Sequence, residues 1–268
     1  MKRVLLGLAV AAVVAACATT TSPTGRTQYV GAVSQTQLDQ LGAQAFAEAK
    51  AKEKLSTNAQ QNAYVRCVVD NITRQLPQGW QAQWEVAVFD DSSPNAFALP
   101  GGKIGVNTGI FTVAKNQDQL AAVIAHEIGH VVSRHHDERI TKQQGTSTLL
   151  GIGSAILGGA YGSGAGNAAS QLGGAAAQTF YLLPNSRTQE SEADVVGQEL
   201  AAKAGFDPRQ AVNLWQNMIA AGGSRPPQWL STHPDPQSRI SELGARAGSL
   251  MPTFEQARAA GHTPKCGS

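Results

Sequence analysis

This sequence lacks an excess of charge of either sign. Lys and Arg number 21 against 19 Asp and Glu, a formal net charge of +2, and charged residues fill only 15% of the 268 positions. Lys2 and Arg3 alone account for the excess. Neither a basic groove for nucleic acid nor a charge-driven membrane patch is indicated. Long apolar runs are missing too. Val4 to Ala16 is apolar but too short to cross a bilayer as a stable anchor, and the apolar segments between 145 and 177 are broken by Gly, Ser and Asn. Cysteines number only three. What is present is 42% apolar residues, enough for one globular domain with tails.

The chemistry concentrates in His126-Glu127-Ile128-Gly129-His130. Leu120, Val123, Ile124, Ile128, Val131 and Val132 recur at helical spacing, and Asn116 suits an N-cap with Gln119 three residues on. On such a helix His126 and His130 share a face and can grip one metal ion, while Glu127 can act as base toward a water. Gly129 costs about 1 kcal/mol in a helix relative to Ala, so close packing has to favour it. The plainer alternative is a buried amphipathic helix whose histidines are satisfied by hydrogen bonds.

A third ligand is expected in Glu190-Ser191-Glu192-Ala193-Asp194, on a second helix. Glu190 and Asp194 share a face, whereas Glu192 points about 200° away from Glu190. This favours Glu190 as ligand and Asp194 as acceptor for a histidine N–H. An ordinary charged helix face is the alternative.

Three ordered segments, 126–130, 186–194 and 232–240, together with 95–106, resemble the zinc metallopeptidase family that includes HtpX and the CAAX prenyl endopeptidase. Within it the soluble periplasmic lipoprotein proteases of the LoiP and BepA type are the most similar in layout. The resemblance spans roughly residues 30 to 245. It implies a helix-dominated α+β, zincin-like domain with a small sheet beside the metal-binding helix. It also implies one Zn2+ per chain held by His126, His130 and Glu190, with Glu127 as general base, and protein or peptide substrates. His233 is implied to lie near the metal, either stabilising an oxyanion or occupying the open metal position. Arg187 and Arg239 are read as salt bridges joining the motifs, with a role as substrate or oxyanion partners the alternative. In this class an edge strand beside the zinc pairs with the substrate backbone, a role placed on Gly102, Lys103, Ile104, Gly105 and Val106; a plain hairpin is the alternative. His135, His136 and His262 receive no role, the first two because helical phase turns them away from His130.

The N-terminus reads as an export signal, with Lys2 and Arg3 before the apolar stretch. Val14-Ala15-Ala16-Cys17 resembles a bacterial lipobox, so Cys17 is expected to carry the lipid anchor; Ala18 after it is not the aspartate associated with inner-membrane retention, so the periplasmic face of the outer membrane is the expected address. The expected organisation is signal peptide 1–16, lipidated flexible tether 17–30, peptidase domain 31–250 and C-terminal tail 251–268. Cys67 and Cys266 either pair, as an oxidising compartment allows, or remain two thiols. Helices are expected at 36–55, 58–75, 206–222 and 236–247, and strands at 84–89 and 103–107. The glycine-rich segment 145–177 reads either as a pair of small-residue helices packed on the core or as a mobile lid over the cleft, the lid being favoured by its glycine content. Two functions follow: a zinc endopeptidase clearing misfolded or unassembled envelope proteins, or a latent relative serving as a chaperone or assembly factor.

Overall fold

The computed structural model describes residues 18–81, 84–143, 185–222, 233 and 236–267. Cys17 and the glycine-rich segment 145–177 lie outside the described residues. The elements follow the order β1 (Ala18–Thr21), β2 (Thr27–Val30), α1 (Gln35–Lys52), α2 (Ala59–Thr73), β3 (Glu85–Phe89), β4 (Ala96–Leu99), β5 (Lys103–Asn107), a 3-10 turn (Thr108–Thr112), α3 (Gln117–Val132), α4 (Arg187–Lys203), α5 (Gln210–Gly222) and α6 (Pro236–Ala259). This is a helix-rich α+β fold compatible with a zincin-like domain.

Side-chain caps fix where the main helices begin. The Ser34 and Ser186 hydroxyls accept from the backbone N–H groups of Gln37 and Gln189, whose side chains reach back to the cap. Asn58 caps α2 by accepting from Gln60 and Gln61. Asn116 caps α3 by accepting from Gln119 N–H, while the Gln119 side chain accepts from Lys115 N–H. α5 begins at Gln210, later than expected, because Asp207 accepts the N–H of Arg209 in a preceding turn.

α3 is the centre of the molecule. Leu120, Val123, Ile124 and Ile128 are buried in one cluster with Val65, Val68, Val69 and Ile72 of α2, Ile104 and Val106 of β5, and Leu214, Trp215 and Met218 of α5. Helix α3 is therefore enclosed by packing on most sides, and its Gln119, His126, Glu127 and His130 are buried.

The sheet order is β3-β5-β4, with β5 parallel to β3 and antiparallel to β4. The tight turn between β4 and β5 needs Gly101 and Gly102, whose φ angles of 75° and 68° are left-handed. This order corrects the expected edge role of Gly102, Lys103, Ile104, Gly105 and Val106. Strand β5 is hydrogen-bonded on both sides and has no free ladder for a substrate. The outer position beside α3 belongs to β4, a strand the alternation pattern did not reveal.

Two further expectations change. Residues 18–30 are not a flexible tether but an antiparallel hairpin, Ala18 opposite Val30 and Thr21 opposite Thr27. It is anchored by burial of Val30 and Gln28, the latter donating to Ser133 O at 2.6 Å, and by Gly31 N–H donating to Asp137. The last helix runs beyond Ala247 to Ala259, through Pro252, so half of the expected tail 251–268 is helical. A disulfide joins Cys67 of α2 to Cys266, and the Gln117 side chain bonds Pro264 O and Cys266 N–H, fastening the terminus against the start of α3. Among the described residues no helix is long and apolar enough to cross a membrane.

Candidate metal centre

The centre is built where α3 crosses α4. A Cβ on Gly129 would sit 2.8 Å from Ala193 O, and one on Gly197 would sit 2.7 Å from His126 N. Two glycines, one on each helix, thus let the backbones touch. That close crossing explains why a residue unfavourable in helices occupies position 129, and it brings Glu190 and Asp194 over His126 and His130.

The side chains converge on a small polar space. His126 Nε2 and His130 Nε2 lie 3.1 Å apart, and each is 3.4 Å from an oxygen of Glu190. With His233, these residues offer donor atoms that all lie within 4.8 Å of one another. His233 Nε2 is also 3.3 Å from Glu127 Oε1, on the neighbouring position of α3. All five side chains are buried.

Neighbours fix their orientation. Asp194 Oδ1 is 2.9 Å from His126 Nδ1, which places the proton of a neutral His126 on Nδ1 and leaves Nε2 turned toward Glu190. Arg239, from the first turn of α6, donates from Nε and from a terminal nitrogen to the two oxygens of Asp194, each at 2.7 Å, and from its other terminal nitrogen to Glu190 Oε2 at 2.6 Å. Its guanidinium also lies 4.1 Å from the Trp215 ring centroid. One buried cation therefore joins α4, α5 and α6. The other residues named from the sequence lie elsewhere. Arg187 is exposed at the start of α4, Lys103 pairs with Glu85 at 2.9 Å, and His262 bonds Lys203 O.

The electrostatics follow from burial and partners. Burial raises the Asp194 carboxyl, but Arg239 and His126 outweigh it and hold its pKa at about 2. Burial likewise opposes ionisation of Glu190, yet His233 and His130 draw it well below the ordinary range. His126 is pushed the other way. Burial and Arg239 lower it, while Asp194 and Glu190 prevail and raise it to about 9. Burial holds His130 well below its usual value.

These residues fit a divalent metal ion. Two ligands at zinc distances in a tetrahedral site are separated by about 3.3 Å, close to the separations found here. Glu190 Oε1 is buried without a hydrogen-bond partner among the described residues and faces His130. An orphaned buried carboxylate oxygen is costly unless a cation meets it.

Three contributors escaped the sequence. Helix α3 ends at Val132, and Arg134 takes a left-handed φ of 55°, a conformation that costs a non-glycine residue about 1–2 kcal/mol. The chain then turns back, so His135 lies under His130 instead of following its helical phase. His135 Nδ1 is 2.7 Å from His130 Nδ1, and its Nε2 is 3.1 Å from Glu192. Glu192 does point away from Glu190, but into this second polar layer. Asn185, which accepts a hydrogen bond from Arg139, places its amide nitrogen 3.4 Å from His130 Nε2. Only a cue for the turn at 133–134 would have signalled His135; none marks Asn185.

Residues 59–247 match the family described as peptidase family M48. The chain belongs to peptidase family M48. Membership carries the enzyme class, metallopeptidase, onto the residues just described. Similar proteins include mitochondrial metalloendopeptidase OMA1 of Schizosaccharomyces pombe, 39% identical over 163 residues, which covers 60% of this chain and 46% of that one. The beta-barrel assembly-enhancing protease of Escherichia coli (strain K12) is 35% identical over 174 residues, covering 63% of this chain and 35% of that one. The mitochondrial metalloendopeptidase OMA1 of Bos taurus is 30% identical over 217 residues, 77% of this chain and 41% of that one. The M48 chain thus spans less than half the length of each of these relatives.

Proposed function

We propose that this M48 chain is a zinc-dependent endopeptidase. The observation that carries the proposal is the gathering of His126, His130 and Glu190 donors around one point, with Glu127 beside it. When bound, zinc supplies a Lewis acid for the scissile carbonyl and an attacking water. The work of the chain's own residues is then proton movement and orientation. Glu127 takes a proton from the water as its oxygen bonds to the carbonyl carbon, and delivers that proton to the amine nitrogen as the C–N bond breaks. Asp194 and Arg239 keep His126 and Glu190 aimed throughout. Glu127→Gln is expected to abolish peptide-bond cleavage while zinc content, measured by atomic absorption, stays at one per chain; cleavage of casein at the unchanged rate refutes the role of Glu127.

A second reading concerns the resting state. His233 Nε2 sits among the donors and beside Glu127, a position suited to a fourth ligand that keeps water out. On this reading the enzyme is latent while His233 holds that position. Casein cleavage by His233→Ala separates the roles: a faster rate supports latency, and a lost rate supports stabilisation of the oxyanion.

The cellular role is proposed on the sequence and on one relative's name. The lipobox-like segment ending at Cys17 supports a lipid anchor at the periplasmic face of the outer membrane. The similarity to a protein named for beta-barrel assembly supports misfolded or unassembled envelope proteins as substrates. Mass spectrometry of the mature N-terminus tests the anchor: a diacylglycerol-modified Cys17 is the expected product.

A further inference from the structure

The second metal-binding histidine is held by a relay that ends in the N-terminal hairpin. His135 Nδ1 lies 2.7 Å from His130 Nδ1, and His135 Nε2 lies 3.1 Å from Glu192 Oε2. His135 is fully buried and Glu192 nearly so. From the hairpin turn, Thr24 donates to Glu192 Oε1 at 2.6 Å, and Arg26 donates to Glu192 Oε2 at 2.8 and 3.0 Å. Arg26 also forms a two-pronged pair with Glu138, both contacts at 2.9 Å. Arg26 and Thr24 lie outside the matched residues 59–247, yet their partner Glu192 lies inside them.

Proton bookkeeping gives this chain of contacts a direction. An ionised carboxylate only accepts, so His135 Nε2 carries a proton and donates it to Glu192. A neutral His135 then has a bare Nδ1, which must accept. The donor to it is His130 Nδ1–H, and the remaining nitrogen of His130, Nε2, keeps its lone pair. That nitrogen is the one facing Glu190 and His126. Each histidine of the helix is thus locked in the tautomer a metal requires, but by different means. Asp194 does it directly for His126, while Glu192 does it for His130 through a third imidazole. Thr24 and Arg26 hold the Glu192 carboxylate in place.

We infer that Arg26 and Thr24 of the N-terminal hairpin are positioning residues for the metal centre, acting on His130 through Glu192 and His135. The inference rests on His130 being a metal ligand, as in the proposed function. It makes the hairpin part of the metalloprotein and not only its attachment.

The test is zinc affinity of the full chain, titrated in competition with a chromophoric chelator, alongside circular dichroism to establish folding. Arg26→Gln is expected to raise the zinc Kd by about tenfold, the range seen when an outer partner of a metal-bound histidine is removed. Thr24→Val, a milder change that serves if Arg26→Gln does not fold, is expected to weaken zinc in the same direction. Tyr29→Ala changes an exposed residue of the same hairpin that makes no hydrogen bond to Glu192 among the described residues, and is expected to leave zinc affinity unchanged. In a His135→Asn background, itself weakened, Arg26→Gln is expected to add nothing. Unchanged affinity in folded Arg26→Gln and Thr24→Val overturns the inference. So does an equal loss in Tyr29→Ala, or a full additional loss in the His135→Asn background. Failure of the unaltered chain to bind zinc at all overturns the metal centre itself, an outcome distinguishable from the others.

Discussion

Gly197→Ala probes the helix crossing without touching any donor atom. The added Cβ would lie 2.7 Å from His126 N and 2.8 Å from the carbonyl carbon and oxygen of Ala125. Ordinary contact begins near 3.4 Å, so α4 must retreat from α3 by about 0.6–0.7 Å. The obstructing atoms are backbone in the middle of a buried helix and cannot swing aside. Against this, alanine improves intrinsic helix stability by about 1 kcal/mol. Overpacking costs about 1–3 kcal/mol, leaving a net loss of about 1 kcal/mol and a Tm lower by about 2–4 °C. Metal binding responds more sharply. Glu190 stands two turns away on α4 with its oxygens 3.4 Å from His126 and His130, and metal sites tolerate errors of about 0.2 Å in ligand distances. A rigid shift several times larger is expected to weaken zinc by about tenfold or more. Thermal unfolding by circular dichroism and chelator competition measure the two effects. A variant stabilised by about 1 kcal/mol with unchanged zinc affinity would show that the crossing is not tight, and the account of both glycines would fall.

Two other perturbations test the scaffold. The Cys67–Cys266 bond closes a loop across 199 residues, for which chain-entropy arguments give a stabilisation of about 5 kcal/mol. Reduction, or Cys67→Ser with Cys266→Ser, is therefore expected to lower Tm by on the order of 10 °C in thermal scans; an unchanged Tm refutes a stabilising role. Glu138 supplies a pH dependence. Burial raises its carboxyl, but Arg26, Lys142 and Gln189 prevail and hold its pKa at about 2 in the folded chain, below the ordinary value of 4.5. A depressed folded pKa contributes stability that is fully present above pH 4.5 and is lost as pH falls toward 2. The stability gap between the unaltered chain and Glu138→Gln in urea unfolding is thus expected to be widest above pH 5 and to close near pH 2; a gap that stays constant argues against the ion pair with Arg26.

What could be read from the sequence was local. The phase of α3 put His126 and His130 on one face because their relation depends only on four residues of helix. Asn116 and the apolar spacing of 120–132 marked its boundaries for the same reason. What could not be read depended on partners far along the chain or on a break in phase. The hairpin at 18–30 has a loop-like composition, and its anchors are remote: Arg26 meets Glu138 and Glu192, 112 and 166 positions away. β5 shows itself as a strand, but its parallel pairing with β3 makes it central, and alternation within one strand says nothing about neighbours. Helical phase gives no role to His135, because the phase stops at Ser133 and Arg134, where the helix ends.

The same distinction bears on how much a five-residue motif can specify. Two histidines four apart on a helix share a direction, but direction alone does not decide which ring nitrogen carries the proton. That choice is made from outside the motif, by Asp194 for His126 and by His135 for His130. Nor does α3 by itself keep a carboxylate aimed at both rings. Glu190 Oε2 accepts from Arg239, which leaves Oε1 as the oxygen turned to His130. A lysine at position 239 would offer one compact charge and could not hold Asp194 with two contacts while also meeting Glu190, because only a planar guanidinium has donors spread in that fork. The metal-binding competence of 126–130 is thus a property of the α3–α4 crossing and of the guanidinium that locks it, and the helix motif is the part of that arrangement written contiguously in the chain.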